Sequence, residues 1–155
     1  MLDYLESLAQ KFARTDTAKG REMLYRSDFE GLLERIFDVD GKVIQINHDS
    51  TNDHGNKPDF VVSRNSVPVL YIEAKDISVN LDKVEKTNQL SRYFGYDNLV
   101  LTDYVEFRFF RNGLPYGESI RIANVDTDRH TLAPIEKNFD LLRRTLLDFT
   151  ASHKE

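Results

Sequence analysis

The chain has 155 residues, of which 40% are apolar and 30% charged, and it contains seven Tyr and ten Phe. This length and composition indicate one folded domain rather than a disordered segment. The absence of cysteine excludes a disulfide framework, thiol catalysis and a Cys-ligated zinc. A net charge of −5 argues mildly against simple coating of nucleic acid. It permits a nuclease, because clustered carboxylates suit a divalent cation and local Lys and Arg can hold phosphates.

Cellular location and chain organisation are expectations at this point. No run of the sequence approaches the roughly 20 apolar residues of a membrane span, and the first residues lack the basic segment and apolar centre of a signal peptide. We therefore expect a cytoplasmic protein with no membrane partner. Residues 1–155 are expected to form a single domain, and the closing "TASHKE" suggests a portion of a larger chain.

Two amphipathic helices are predicted first, over residues 2–14 and 28–37. Their apolar stripes consist of Leu2, Leu5, Leu8, Ala9 and Phe12, and of Phe29, Leu32, Leu33, Ile36 and Phe37. Ser27 and Glu30 have the spacing of a capping box at the start of the second helix. Alternation over 42–47 then predicts a strand, and 48–57 a polar loop.

A hairpin is predicted at the centre of the chain, with strands over 59–64 and 67–75 joined by a tight connection at Asn65-Ser66. A helix over 81–95, closed by a glycine, follows it. The apolar run 98–103 predicts a strand that is buried on both faces.

The remaining residues predict a second hairpin and a last helix. The hairpin spans 104–123 and turns at Asn112-Gly113, and Pro134 opens the helix. The order of these elements predicts an α/β fold with a mixed central sheet flanked by helices.

Three charged residues are predicted to meet at one end of the central hairpin. Residues two apart on a strand share a face, so Glu73 and Lys75 project together. If the two strands pair, Asp59 lies near both, because opposite Cβ atoms are about 5 Å apart. The alternative is ordinary strand-end decoration: Pro-Asp is a common turn dipeptide, and an exposed Glu-x-Lys pair contributes under about 1 kcal/mol.

The functional interpretation rests on the chemistry of paired carboxylates. Two close carboxylates repel each other, and a hard cation such as Mg²⁺ neutralises them. Such a cation binds a phosphate oxygen and lowers the pKa of a bound water. A neighbouring lysine can position that water or stabilise charge developing on phosphorus. This combination is suited to phosphodiester hydrolysis.

The same residues carry a family resemblance. "PDF" followed by "YIEAKD" resembles the PD-(D/E)XK nuclease superfamily, with Asp59, Glu73 and Lys75 matching its two acids and its lysine. "NQLSRY" places Gln89 and Tyr93 like the Gln-x-x-x-Tyr element of several branches. The run from "YIEAKD" to "FFRNG" looks like the Mrr-like N-terminal nuclease domain of type ISP restriction–modification polypeptides, where a helicase and an adenine methyltransferase follow.

The resemblance implies a restriction-endonuclease-like PD-(D/E)XK core and a role for each matching residue. Asp59, Glu73 and the Ala74 carbonyl would bind Mg²⁺, for which Mn²⁺ can substitute, and Lys75 would orient the attacking water. Double-stranded DNA would be the substrate, leaving 5′-phosphate and 3′-hydroxyl ends. Helicase and methyltransferase domains of the same polypeptide would be partners, with a second nuclease copy for the other strand.

The helix predicted over 81–95 offers further candidates. Lys86, Gln89 and Tyr93 line one edge of it, which suits a DNA backbone beside the site. Lys86 and Arg92 are the predicted DNA-binding residues, and Gln89 and Tyr93 would support catalysis. The alternative is a polar helix flank with a half-buried tyrosine.

The superfamily often adds a carboxylate from an early helix, and Glu30 and Glu34 are the candidates here. Glu30 is preferred, because it borders the apolar stripe whereas Glu34 turns further toward solvent. "DFEGLL" also resembles the Phe-Glu helix of Mrr-like nucleases. The alternative for Glu30 is completion of the capping box with Ser27.

Two further groups have open interpretations. The loop 48–57 holds His48, Asp49, Asp53 and His54, but nothing completes a zinc site at familiar spacing, and a loop that contacts DNA or stays mobile is the better interpretation. Arginines on the second hairpin either face DNA or alternate on a solvated strand face. They are Arg108, Arg111 and Arg121.

Three functions compete. The first is a Mg²⁺-dependent DNA endonuclease domain. The second is a non-catalytic DNA-binding or scaffolding module that keeps the nuclease fold, against which the intact Asp-Glu-Lys set argues. The third is a small-molecule phosphohydrolase, for which the chain lacks a glycine-rich phosphate loop.

Overall fold

A mixed sheet forms the centre of the fold. The computed structural model describes residues 1–14, 18–38, 44–48, 58–77, 79–86 and 97–151. The strands are β1 (Ile44–His48), β2 (Phe60–Arg64), β3 (Val67–Ala74), β4 (Asn98–Thr102), β5 (Glu106–Arg111), β6 (Leu114–Pro115), β7 (Ile120–Arg121), β8 (Ala123–Asp126) and β9 (Thr131–Pro134). The first six pair in chain order, β7 adds to β5, and β8 and β9 form a separate ribbon. Only β3 and β4 are parallel among the described pairs.

Helices cover both faces of this sheet, which confirms the predicted α/β fold with a mixed central sheet and flanking helices. They are α1 (Leu2–Arg14), α2 (Ala18–Phe37), α3 (Leu81–Val84) and α4 (Phe139–Ala151). The larger apolar core lies between the sheet and α1, α2 and α4. A smaller core lies on the α3 side and contains Leu81, Val84, Leu99, Leu101 and Phe110.

The central hairpin forms as predicted. Phe60 pairs with Ile72 and Val61 with Tyr71, and a bulge follows Val62. Its connection has positive φ at both positions, 54° at Asn65 and 70° at Ser66. Two such residues make a type I′ turn, whose twist matches that of the strands it joins.

The strand after the hairpin is also as predicted. All five residues of β4 are buried, because β4 lies between β3 and β5 and both its faces pack on apolar cores. The predicted turn at Asn112-Gly113 is confirmed as well, with φ of 53° and 83°.

The start of α2 differs from the prediction. The helix begins at Ala18 instead of residue 28, so Ser27 lies inside it and the predicted capping box is wrong. Tyr25 is fully buried with Phe29, which extends the apolar stripe one turn upstream. The polar residues between these two aromatics hide that continuity in the sequence.

Pro134 does not open the last helix. It ends β9 and pairs with Ala123 of β8, and a 3₁₀ turn over Glu136–Asn138 precedes α4. Proline is compatible with the end of a short edge strand, because no ladder hydrogen bond needs its missing N–H.

The helix predicted over 81–95 is described only in its first residues. Asn80 caps it by accepting hydrogen bonds from the backbone N–H groups of Asp82 and Lys83. The α-helix ends at Val84, and Lys86 N–H bonds back to Lys83, three residues earlier. Such tightening is typical of a helix end, and residues 87–96 lie outside the described part. None of the helices in the described ranges is both long and apolar enough to cross a bilayer.

Candidate active site

Asp59, Glu73 and Lys75 meet at one end of the β2–β3 hairpin. Asp59 immediately precedes β2, and Glu73 and Lys75 flank Ala74, the last residue of β3. The Ala74 N–H donates to Asp59 Oδ2 at 2.9 Å. Lys75 Nζ lies 3.1 Å from Glu73 Oε2. The structure thus brings together the three residues that the sequence singled out.

The position of these side chains follows from the strand register. Phe60 lies opposite Ile72, so the residue before Phe60 comes opposite the residue after Ile72. The end of β3 is held from its other side as well, because Lys75 N–H donates to the Thr102 carbonyl at 2.8 Å. Backbone contacts to both neighbouring strands therefore fix this corner.

Burial and mutual repulsion dominate the electrostatics of the acid pair. Glu73 is only 3% exposed. Its burial, the charge of Asp59 and a hydrogen bond between the two carboxyl groups raise the pKa of Glu73 to about 7, against the opposing effect of Lys75. Without a metal, the pair thus holds a proton on Glu73 at slightly acidic pH.

The surroundings of Asp59 include more groups that stabilise its charged form than those of Glu73. Burial raises the pKa of Asp59 above its ordinary value, although the Ala74 N–H, the positive charges of Lys75 and Arg26 and a hydrogen bond with Glu73 act to lower it. Asp59 is also more exposed than Glu73. Asp59 is therefore the member of the pair that ionises first.

Helix α2 passes beside this corner. The ring of Phe29 packs edge-on against Phe60, with centroids 5.0 Å apart. Tyr25 packs against Tyr104, just beyond the end of β4, at 5.1 Å. Arg26 lies between these two contacts. Sequence reasoning missed it because the helix was predicted to start after it.

Glu30 is better placed than Glu34 as a helix carboxylate. Glu30 is partly buried, whereas Glu34 is exposed. Glu30 also follows Arg26 by four residues and so shares its face of α2. A catalytic role for Glu30 remains a prediction.

Other predicted residues lie away from these contacts or outside the described ranges. Lys86 is exposed in the turn after α3. Gln89, Arg92 and Tyr93 fall within 87–96, and most of the polar loop falls within 49–57, both outside the described residues.

The three hairpin arginines make contacts within the fold, and two of them share Glu106. Arg108 pairs with Asp82, Glu85 and Glu106. Arg121 pairs with Glu106, and Arg111 donates to the Phe149 carbonyl. These contacts favour a structural role over a common DNA-facing patch.

The donor set of the corner suits a magnesium-type ion. Within the described ranges no group of three or more His, Cys, Asp or Glu side chains that could hold a metal comes together. The carboxylates available at this corner are therefore the pair Asp59 and Glu73, and metal binding by them stays a prediction. Mg²⁺ commonly takes one or two carboxylates and keeps several waters. Ala74 ends β3, and its N–H donates to Asp59 Oδ2; metal binding by its carbonyl stays a prediction.

Comparisons with known proteins support the fold. No protein-family model matches the chain, and no curated protein matches its sequence. The mixed sheet with flanking helices is compatible with a restriction-endonuclease-like fold. A chain in the cryo-EM structure of a DrdV–DNA complex is similar in fold to this chain. The TM-score is 0.53 and the sequence identity 18%, and the match covers 78% of this chain and 87% of that one. At this identity the likeness shows the fold alone.

Proposed function

We propose that this chain is a metal-dependent DNA endonuclease domain. The observation that carries the proposal is the buried acid pair beside a lysine, with Asp59 held by the Ala74 N–H and Glu73 paired with Lys75. Supporting it are the match of these residues to the PD-(D/E)XK motif and the shared fold with a chain from a DNA complex.

The acid pair is costly unless a cation neutralises it. Burying a carboxylate beside another carboxylate disfavours the charged form, as the raised pKa of Glu73 records. Asp59, Glu73 and the Ala74 carbonyl would hold Mg²⁺ or Mn²⁺. The bound ion would supply Lewis-acid stabilisation of a phosphate oxygen. Binding would displace the proton shared by the two acids.

Lys75 supplies a second positive charge at the same corner. Its ammonium group is hydrogen-bonded to Glu73 and remains partly exposed, at 24% of its side chain. It can therefore orient a water toward phosphorus and stabilise the charge that develops during attack. In the net reaction the water oxygen bonds to phosphorus, the bond to the 3′ oxygen breaks, and that oxygen gains a proton. The products are a 5′-phosphate and a 3′-hydroxyl.

The wider setting of the domain belongs to the same proposal. The resemblance to type ISP nuclease domains supports restriction of foreign DNA in the cytoplasm, by a larger restriction–modification polypeptide with helicase and methyltransferase domains. A second nuclease copy would cut the other strand. Lys86 and Arg92 would contact the DNA backbone, and Gln89, Tyr93 and Glu30 would support the site.

Plasmid cleavage in Mg²⁺ or Mn²⁺ tests the proposal. Asp59→Asn keeps an acceptor for the Ala74 N–H but removes the charge, and Lys75→Ala removes the ammonium group. We expect each change to slow cleavage by about 10²–10³-fold, the scale measured for loss of one electrostatic contact to a reacting group. Exposed residues of matching type provide controls: Asp148→Asn and Lys137→Ala should cleave like the unaltered protein.

Two outcomes would contradict the proposal. Cleavage retained in both active-site variants would show that another group or a contaminant cuts the DNA. Unaltered protein that binds DNA but neither cleaves it nor binds Mn²⁺ would favour the non-catalytic DNA-binding module.

A further inference from the structure

Helix α2 is anchored on both sides of Arg26 by buried aromatic contacts. Tyr25 and Phe29 are fully buried. They pack against Tyr104 and Phe60 at 5.1 and 5.0 Å. Tyr104 follows β4 and Phe60 opens β2, so both contacts lie at the end of the sheet that carries the acid pair. Arg26 is consequently held at that end by the fold itself.

Arg26 remains accessible in this position. Unlike its aromatic neighbours it is partly exposed, and its positive charge acts on Asp59. A guanidinium group is planar and presents a fork of donors that matches the oxygens of a phosphate. The residue therefore combines rigid placement with the chemistry of an anion-binding group.

The charge balance of the corner supports an anionic ligand. Lys75 lies 3.1 Å from Glu73, and the positive charge of Arg26 acts on Asp59, so these four side chains carry no net charge when both acids are ionised. A bound divalent cation would leave an excess of positive charge. A phosphodiester, and the further negative charge that develops on it during attack, would compensate that excess.

We propose that Arg26 is a substrate-binding residue, whose guanidinium group contacts the DNA phosphate that lies against the Asp59–Glu73 pair. This inference rests on the proposed nuclease function and adds a residue to it. The competing role is purely local, with Arg26 only balancing the charge of Asp59. The two roles differ in what they predict for DNA and for metal.

The salt dependence of DNA binding tests the phosphate contact. Affinity for a short duplex is measured over a salt series, in Ca²⁺ and again in EDTA, for the unaltered chain and for Arg26→Ala. Each phosphate contact contributes about 0.9 to the slope of log affinity against log salt. We expect Arg26→Ala to lose about that much slope and to slow single-turnover cleavage in Mg²⁺ by about 10²-fold, the scale of one lost transition-state contact.

Two further variants keep the test specific. Arg26→Lys retains one positive charge and should retain the slope, with slower cleavage because the planar fork is lost. Arg35→Ala removes an exposed arginine of the same helix and should match the unaltered chain in both slope and cleavage.

An unchanged slope in Arg26→Ala would overturn the inference. If Arg26→Ala also bound Mn²⁺ more tightly at an unchanged slope, the role of Arg26 would be to balance the charge of Asp59. Failure of the proposed function has a different signature: the unaltered chain would not bind Mn²⁺, whereas the slope in EDTA would still decide whether Arg26 contacts a phosphate.

Discussion

Two buried glutamates of this chain, Glu106 and Glu73, differ in the charged groups that surround them. Glu106 is 7% exposed, and each of its carboxylate oxygens accepts a hydrogen bond from a different arginine, Arg108 and Arg121. Glu73 is 3% exposed and lies beside a second carboxylate, with one lysine at 3.1 Å. The first acid carries its own counter-ions, whereas the second shares a lysine with another acid.

The difference is the one expected between a structural acid and the functional acid that we propose at Glu73. Glu106 joins β5 to β7 and, through the pair of Arg108 with Asp82, to α3, so its charge contributes to the fold. Burial and the charge of Asp59 raise the pKa of Glu73, so its charge opposes the fold. Strain of this kind is expected at sites that bind ligands.

The largest effect on the free energy of unfolding is expected from Glu73→Gln in metal-free protein. Between the ordinary pKa of 4.5 and about 7, the unfolded chain loses the Glu73 proton while the folded chain keeps it. The folded state therefore loses stability as pH rises through this window, by roughly 3 kcal/mol in total. Glutamine avoids this loss and can still donate to Asp59. We expect Glu73→Gln to be more stable than the unaltered chain by up to that amount at pH 8 in EDTA.

Urea unfolding at pH 4.5 and pH 8 measures this prediction. The stability difference between the two proteins should be small at pH 4.5 and largest at pH 8. A destabilised Glu73→Gln at pH 8 would mean that the Glu73 charge is as well compensated as that of Glu106, and the comparison would fail.

Glu106→Gln is expected to lower the free energy of unfolding, the opposite of the effect expected for Glu73→Gln. An amide accepts from only one of the two arginines and leaves the other facing a donor, which costs about 2 kcal/mol. The figure is below the 3–5 kcal/mol of a fully buried ion pair, because Arg121 is 42% exposed. Urea unfolding at pH 7 should show this loss, with Mn²⁺ affinity unchanged. Equal stability of both proteins would remove the structural role of Glu106.

The smallest effect is expected at Asp140, which also faces two arginines but lies on the surface of α4. Its contacts to Arg143 and Arg144 are exposed and screened by water and salt. Asp140→Asn should leave the melting temperature unchanged within error. A clear decrease would show that the number of ion pairs, and not their burial, decides the contribution of an acid here.

Local sequence signals predicted most of the fold. Helix α1, the β2–β3 hairpin and the buried β4 follow from apolar periodicity and from turn residues such as Asn65-Ser66. The start of α2 was missed, because Arg26 and Ser27 interrupt its apolar stripe in the sequence. Strand β9 was missed because it is short and exposed, and a proline ends it.

The closeness of Asp59 to the end of β3 was predictable for the same local reason, but the exact register was not. The tight turn pairs Arg64 with Val67, and this register alone would set Asp59 opposite Ile72. The bulge after Val62 shifts the pairing by one residue and brings Asp59 opposite Glu73. Arg26 was not predictable in this way, because its position depends on how α2 crosses the end of the sheet. That crossing is set by the packing of Tyr25 and Phe29 on distant residues.

Divalent-cation binding tests the central claim most directly. The melting temperature of the unaltered chain, Asp59→Asn and Glu73→Gln is measured against Mn²⁺ concentration. The unaltered chain should gain about 2.7 kcal/mol of stability at a hundred times its dissociation constant, and both variants should gain far less. An equal gain in all three proteins, or none in the unaltered chain, would contradict the assignment of Asp59 and Glu73 as metal ligands.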